Sequence, residues 1–550
     1  MIGDKHGLQG ELQKTQANYV PLSPISFLTR AAKIYPDRLA ISYGVRQITY
    51  GLFHERVSRF ASALDSLNIG VGDTVSVIAP NVPALLEAHY AVPAIGAVLS
   101  AINIRLDATT VAFILEHSTA KILLVDDEFA ELALDALQKL KTKPHIIRIA
   151  DSCVEPSPQI SPIEYEDFLA SGNPQFTLQR PKDEWQPITL NYTSGTTGDP
   201  KGAVYSHRGA YLNAVANTIS FGMSADTVYL WILPMFHCNG WSHTWAVTLA
   251  GGTHVCLRNI APEVIFDQIE TAGITHTCGA PIVLNMLIHA PETVKKHPVS
   301  TIKIATGGAP PPSTVIAQME EMGFEVVHLY GLTETYGPAT ICEIQDDWAR
   351  LPKGEAALRL ARQGQSHPMI EDYQVGDINR AKPIAAGGNI VGEIQIRSNT
   401  IMMGYHKNPT ATRAAFKDGW FHTGDLAVMH EDASLEIKDR AKDVIISGGE
   451  NISSIEIEEI LTQNPKISAA AAVAKPDDKW GETPCAFVEL VEGEICDAND
   501  VIDWCRQNMA HFKVPKNVVF GELPKTSTGK IKKFVLRKRA RNLESRSEDT

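Results

Sequence analysis

The densest chemistry in the 550-residue sequence lies in "LNYTSGTTGDPKGAVYSH" (Leu190–His207), where hydroxyls, glycines and one lysine share a single stretch. Thr193, Ser194, Thr196 and Thr197 offer hydroxyls and successive backbone N–H groups that suit a polyphosphate. Gly195 and Gly198 let the backbone approach closely, and Lys201 adds a point charge. This is not the phosphate loop G-x-x-x-x-G-K-[ST], because Lys201 follows Gly195 by six residues and is preceded by Pro200. "PKTSTGKIKK" (Pro524–Lys533) fails the same pattern: Pro524 occupies the first glycine's place and Ile531 follows Lys530. Between Lys525 and Arg541 stand eight basic residues and no acid. Such a run reads as a solvated face or nucleic-acid tail, or, in an acidic chain, as an element facing an anion.

Further groups suit a nucleotide. In "ATGGAPPPS" and "YGLTET", Tyr330 offers a ring on which a base can stack, and Gly308 and Ala309 are small enough to leave room beside it. Glu334 is a candidate Mg²⁺ ligand, since that ion prefers carboxylates, phosphate oxygens and water. Asp425 in "GWFHTGDLA" either caps a turn after Gly424 or accepts from both hydroxyls of a ribose, to which Arg440 could also donate. "LPMFHCNGWSHTW" is apolar and aromatic; His237 and His243 lack a third ligand nearby, so no metal site is expected, and Trp241 either packs a core or lines a pocket. In "IISGGEN", Ser447, Gly448 and Gly449 suit a narrow passage or a tight turn before a helix.

The elements that must position these groups alternate. "TVSVIAP", "KILLVDD", "TVYLWIL", "IKIATGG" and "EVVHLYG" read as strands between helical stretches such as "PEVIFDQIETAG", which implies βαβ units and largely parallel sheets. "YAVPAIGAVLSAINI" (Tyr90–Ile104) is too short to span a bilayer and is expected to be a buried helix. Near residue 390 the pattern shifts to short antiparallel strands, and after "DRAKDVIISGGENIS" a small α+β pattern follows. The expected fold is α/β: a large domain over residues 1–439 with mixed and parallel sheets, helices and a β subdomain, then a mobile lid over residues 440–550. A net charge of −13 argues against general nucleic-acid binding. None of the eight cysteines forms a C-x-x-C pair, and the N-terminus has no apolar signal core. "SRSEDT" carries no recognised peroxisomal or retention signal, so a cytoplasmic protein is expected.

Five motifs in order, "YTSGTTGDPKG", "YGLTET", "GWFHTGDLA", "DRAKDVIISGGENIS" and "PKTSTGKIKK", resemble the signatures of the adenylate-forming superfamily, over about residues 25–540. The resemblance implies an AMP-forming acyl-CoA synthetase using ATP with Mg²⁺ and coenzyme A on a small carboxylic acid. It gives the Thr193–Gly198 loop, Lys201, Gly308, Ala309, Tyr330, Thr333, Asp425 and Arg440 to the nucleotide, and Thr193 and Glu334 to the metal. It gives Lys530 the bridge between carboxylate and α-phosphate, and Lys442 the hinge. Ser447, Gly448 and Gly449 go to the coenzyme A tunnel; His237, Trp241, Gly307 and Gly308 go to the acyl pocket, with His237 beside the carboxylate. Related enzymes are often dimers. The pocket resembles those of short- and medium-chain acyl-CoA synthetases and of 3-methylmercaptopropionate ligases; aryl acids stay open. The rivals are a luciferase-like oxidase, a module loading a carrier protein, for which no carrier extension follows, and a non-catalytic nucleotide binder.

Overall fold

The computed structural model describes residues 12–543, apart from 194–198, 309–310, 312, 347, 378–382, 388–389, 449 and 526–530. Two large sheets dominate residues up to about 375. A nine-stranded sheet runs in the order Gln365–Ser366, Gly337–Ile341, Phe324–Leu332, Ile302–Thr306, His276–Gly279, Val228–Leu230, Thr253–Val255, Leu39–Tyr43, Arg46–Thr49. Its six middle strands are parallel, and antiparallel pairs close both edges. A seven-stranded sheet contains Pro187–Thr193, Val98–Ala101, Thr74–Ile78, Ala120–Asp126 and His145–Ile149 in parallel, with Lys201–Ser206 and Gly404–Tyr405 antiparallel at one edge. The middle strands are buried along their length, as in Thr74–Ile78, which is why they read as continuous apolar runs. Helices such as Tyr50–Ser66 and His207–Ser220 cover the sheets.

Three chemically marked segments sit at the carboxyl ends of parallel strands: Pro187–Thr193 leads into the hydroxyl-rich loop, Ile302–Thr306 into Gly307, and Phe324–Leu332 into Thr333. Sites in open α/β sheets gather there.

The stretch Tyr90–Ile104 departs from expectation. The helix Pro83–Ala91 ends before Pro93, Gly96 turns left-handed at φ +78, and Val98–Ala101 is an interior strand. Pro93 cannot donate to the preceding turn and Gly96 supplies the reversal, so an unbroken apolar run folds as helix, turn and strand.

The β subdomain is an antiparallel sheet of Ile370–Gly376, Gly392–Ser398, Trp420–Met429, Phe416–Lys417 and Leu435–Arg440. The C-terminal domain is built on Gly481–Leu490, flanked by Ile467–Asp477, Ile445–Ser447 and Asn517–Phe520, with helices Ser454–Thr462, Ala498–Asn508 and Lys533–Arg541. It buries its own apolar clusters, one around Ile445, Ile457, Leu461 and Val488 and another around Val473, Phe487 and Leu536. A separate core is the physical mark of a separate domain. All eight cysteines are free. Among the described residues no helix is long and apolar enough to cross a membrane.

Candidate active site

One corner of the site joins three residues that lie far apart in the chain. Tyr330, at the end of its strand, donates its hydroxyl to Asp425 Oδ2 at 2.8 Å. Arg440 Nε lies 2.9 Å from Asp425 Oδ1, and the two residues face each other across the pair formed by Trp420–Met429 and Leu435–Arg440. Asp425 is buried, so its carboxylate is held where both partners compensate the lost water. Burial, then the neighbouring Asp425, pushes the Tyr330 phenol well above its usual range, which keeps it a hydrogen-bond donor. Burial works against the Arg440 charge, but Asp425 together with Tyr330, Asp443 and Glu334 outweighs it and the guanidinium pKa rises. A ring, a carboxylate and a guanidinium held together in this way suit a nucleoside.

A second corner gathers around Glu334, which follows the Tyr330 strand in a short 3-10 turn, Thr333–Thr335. Glu334 Oε1 accepts from the Tyr405 hydroxyl at 2.6 Å. The Lys201 ammonium sits over the Tyr405 ring, 5.0 Å from its centre. Lys201 also faces Thr193 across the hairpin whose tip is the hydroxyl-rich loop, and the Thr193 hydroxyl points to the Lys201 carbonyl at 3.4 Å. The base of that loop is thereby tied to Glu334 through Tyr405. Burial, then Glu334, raises the Tyr405 phenol, so it donates throughout the physiological range. Thr333 is fixed by the Tyr205 hydroxyl, which donates to its carbonyl at 2.5 Å, and touches Cys238 Sγ at 3.5 Å. Burial pushes the Cys238 thiol up to about 11, which leaves it neutral and unsuited to nucleophilic attack.

The apolar segment takes a conformation that no spacing announces. Cys238, Asn239, Gly240, Trp241 and Ser242 all have positive φ, between 50 and 63. Glycine and asparagine tolerate this region, but each other L-residue there costs roughly 1–2 kcal/mol, so the turn must be held by its surroundings. It is. A Cβ on Gly240 would meet the Trp231 ring at 2.4 Å, and Asn217 Nδ2 donates to the Trp241 carbonyl at 2.6 Å. Trp241 is buried against Gly337, just after the Glu334 turn. His237 is half-buried at the start of the turn, and its carbonyl accepts from Gly240 N at 2.9 Å. Gly307 packs against Leu329, whereas among the described residues nothing lies within 4 Å of the Cβ position of Gly308. His243 is fully buried, stacked on Tyr229 with ring centres 5.2 Å apart.

In the C-terminal domain, Ile445–Ser447 and Glu450–Ile452 form a hairpin with Gly448 at its turn, φ +60. Trp480 covers Gly448 so closely that a Cβ would lie 2.8 Å from its ring, so that glycine makes room for an indole. Lys442 lies in the exposed turn after Leu435–Arg440, where Asp443 N donates to the Arg440 carbonyl at 2.8 Å. Ser194, Gly195, Thr196, Thr197, Gly198, Ala309, Gly449 and Lys530 lie outside the described residues.

Sequence reasoning missed Tyr405 and Asn239. Tyr405 is 71 residues from Glu334 and sits in "MMGYHKNP", where nothing in spacing or charge marks it. Asn239 lay inside a quoted motif, yet only the fold shows its partners.

The AMP-binding enzyme family matches residues 28–406, and the AMP-binding enzyme C-terminal domain matches residues 456–530. An acetate–CoA ligase of Humulus lupulus is 47% identical over 551 residues, covering 97% of both chains. An acetate/butyrate–CoA ligase of Arabidopsis thaliana, named as peroxisomal, is 46% identical over 551 residues with the same coverage. The ATP-bound MatB of Rhodopseudomonas palustris shares the fold with a TM-score of 0.82 at 24% identity, over 94% of this chain and 99% of that one. The expectation of a cytoplasmic protein is corrected by these findings: several similar relatives, the trans-cinnamate:CoA ligase of Petunia hybrida among them, are named as peroxisomal and point away from the cytoplasm. The matches to both domains and the full-length relatives place the chain in the AMP-binding enzyme family.

Proposed function

We propose that the protein is an ATP-dependent, AMP-forming acid:CoA ligase acting on a short-chain carboxylic acid. The observation that carries this reading is the hydrogen bond from Tyr405 to Glu334 with Lys201 over the same ring, which gathers the loop base and a carboxylate at one strand end. In the first half-reaction a carboxylate oxygen attacks the α-phosphorus of ATP, the bridging P–O bond breaks, and pyrophosphate leaves. Positioning and charge neutralisation do most of the work in such a step. Lys201, the Thr193–Gly198 loop and Lys530 are assigned to the phosphates, Tyr330, Asp425 and Arg440 to the nucleoside, and Thr333 to the α-phosphate. One carboxylate and one hydroxyl suit Mg²⁺ brought in with ATP, and Glu334 and Thr193 would hold it, with the ion neutralising pyrophosphate charge. In the second half-reaction the coenzyme A thiolate attacks the acyl carbon and AMP departs with the electron pair of the broken anhydride bond. The lid, residues 440–550, turns about Lys442 between the two steps, withdrawing Lys530 and presenting Ser447–Gly449.

A short aliphatic acid is favoured by the relatives named for acetate and butyrate, and by the bulk of Trp241, packed against Gly337 in the segment proposed to line the pocket. An aryl acid is the second reading, because relatives at 46% and 44% identity are named for trans-cinnamate and benzoate. A panel from acetate to dodecanoate with benzoate, cinnamate and methylthio acids, scored by acyl-CoA formation, separates them. Highest kcat/KM at two to four carbons is expected. A preference for benzoate or dodecanoate by tenfold or more, about 1.4 kcal/mol, contradicts the short-chain assignment.

A further inference from the structure

A buried polar chain ends on the left-handed turn and serves none of the nucleotide groups. Asn239 Oδ1 accepts from the Thr189 hydroxyl at 2.9 Å and from Asn191 Nδ2 at 3.0 Å. Its Nδ2 donates to His89 Nε2 at 3.0 Å. His89 Nδ1 faces the Leu85 carbonyl at 2.8 Å, an acceptor only, so that nitrogen carries the proton and Nε2 is left to accept. The Asn239 carbonyl oxygen, one of its amide hydrogens and both imidazole nitrogens of His89 are thereby directed. Asn239, His89 and Thr189 are wholly buried, and burial lowers the imidazole pKa to about 4, which keeps it neutral.

Thr189 and Asn191 lie on Pro187–Thr193, the strand that feeds the hydroxyl-rich loop, and His89 lies on the helix Pro83–Ala91. Asn239 lies in the turn that carries Trp241. The amide therefore joins the strand behind the phosphate loop to the wall of the acid pocket. We propose that Asn239 and His89 are positioning residues that set where the acid sits relative to the nucleotide, and so tune use of the acid rather than of ATP. Neither touches a reacting atom. This rests on the reading of Cys238–Trp241 as the acyl-pocket wall.

The test compares Asn239→Gly, His89→Leu and His89→Gln with the wild type in steady-state acyl-CoA synthesis, varying acid and ATP separately. Glycine keeps the left-handed backbone and removes only the amide; glutamine keeps an acceptor near the place of Nε2. Expected are a rise in acid KM of about tenfold for Asn239→Gly and His89→Leu, an ATP KM changed by less than about twofold, and recovery in His89→Gln. The double variant, His89→Leu with Asn239→Gly, is expected to be no worse than the poorer single, since both cut one chain. An unchanged acid KM, a parallel rise in both KM values, or additive losses overturns the proposal. Should His89→Leu fail to fold, Asn239→Gly alone decides it. A wild type with no acid-dependent turnover defeats the activity reading instead, which this pattern of variants cannot imitate.

Discussion

The side proposed for the nucleotide and the side proposed for the acid are built by opposite means. The nucleotide side uses charge: Asp425 with Arg440, Glu334 with Tyr405, and Lys201 over the same ring. The acid side uses neutral groups: Asn239, His89, Thr189 and Asn217 hold a strained turn by buried hydrogen bonds. Charges at strand ends can meet and release a polyphosphate without moving the backbone. A pocket for a small apolar acid has little to grip, so its shape must be fixed beforehand, and hydrogen-bonded neutral groups fix it without burying charge.

The comparison is broken most forcibly at the lysine proposed to bridge the carboxylate and the α-phosphate. Lys530→Ala is expected to slow acid-dependent pyrophosphate exchange by about 10²–10³-fold while thioester formation from a supplied acyl-adenylate stays near the wild-type rate. Equal loss of both half-reactions would remove the alternation of the lid. Tyr405→Phe deletes one donor to Glu334 and should lower kcat/KM for MgATP by about tenfold with the acid KM preserved; an unaffected enzyme would show that Glu334 is oriented otherwise. Trp241→Ala sharpens the contrast from the acid side. It should shift the ratio of kcat/KM for hexanoate over butyrate upward by about three- to tenfold, with ATP use held, and an unchanged ratio would take the indole out of the pocket.

The smallest effect per residue is in pH. His89 and His243 titrate in the folded chain at about 4, held down chiefly by burial, against an ordinary value near 6.5. The native state therefore binds fewer protons between those values. The stability each contributes is complete above about pH 6.5 and is lost as pH falls towards 4, about 1 kcal/mol per histidine by pH 5.5. The one histidine of the C-terminal domain, His511, is exposed. Hydrogen exchange at pH 7.5 and 5.5, corrected for intrinsic rates, should show lost protection around His89 and His243 and none in Ile467–Leu490; equal loss in both regions would contradict the assignment.

The same contrast explains what the sequence disclosed. Lys201 opens a strand, Glu334 follows one in a short turn, and Asp425 and Arg440 face each other across two neighbouring strands; their charges stood out in the sequence, and the fold pairs Asp425 with Arg440 and sets Glu334 and Lys201 on either side of Tyr405. The alternation of apolar runs revealed the sheets, because buried parallel strands have no polar face to interrupt them. Tyr90–Ile104 misled for the reverse reason: a continuous apolar run has no period, and only Pro93 and Gly96 marked the change from helix to strand. Asn239 was unreadable because its role depends on His89, 150 residues earlier, and on five successive left-handed residues that composition does not signal.

The central claim is tested most directly by the fate of the nucleotide. Purified protein incubated with ATP, magnesium, coenzyme A and butyrate should release AMP and pyrophosphate in equal amounts with butyryl-CoA, and none of the three without the acid. Release of ADP and phosphate, or no nucleotide turnover with any acid from acetate to cinnamate, would contradict it.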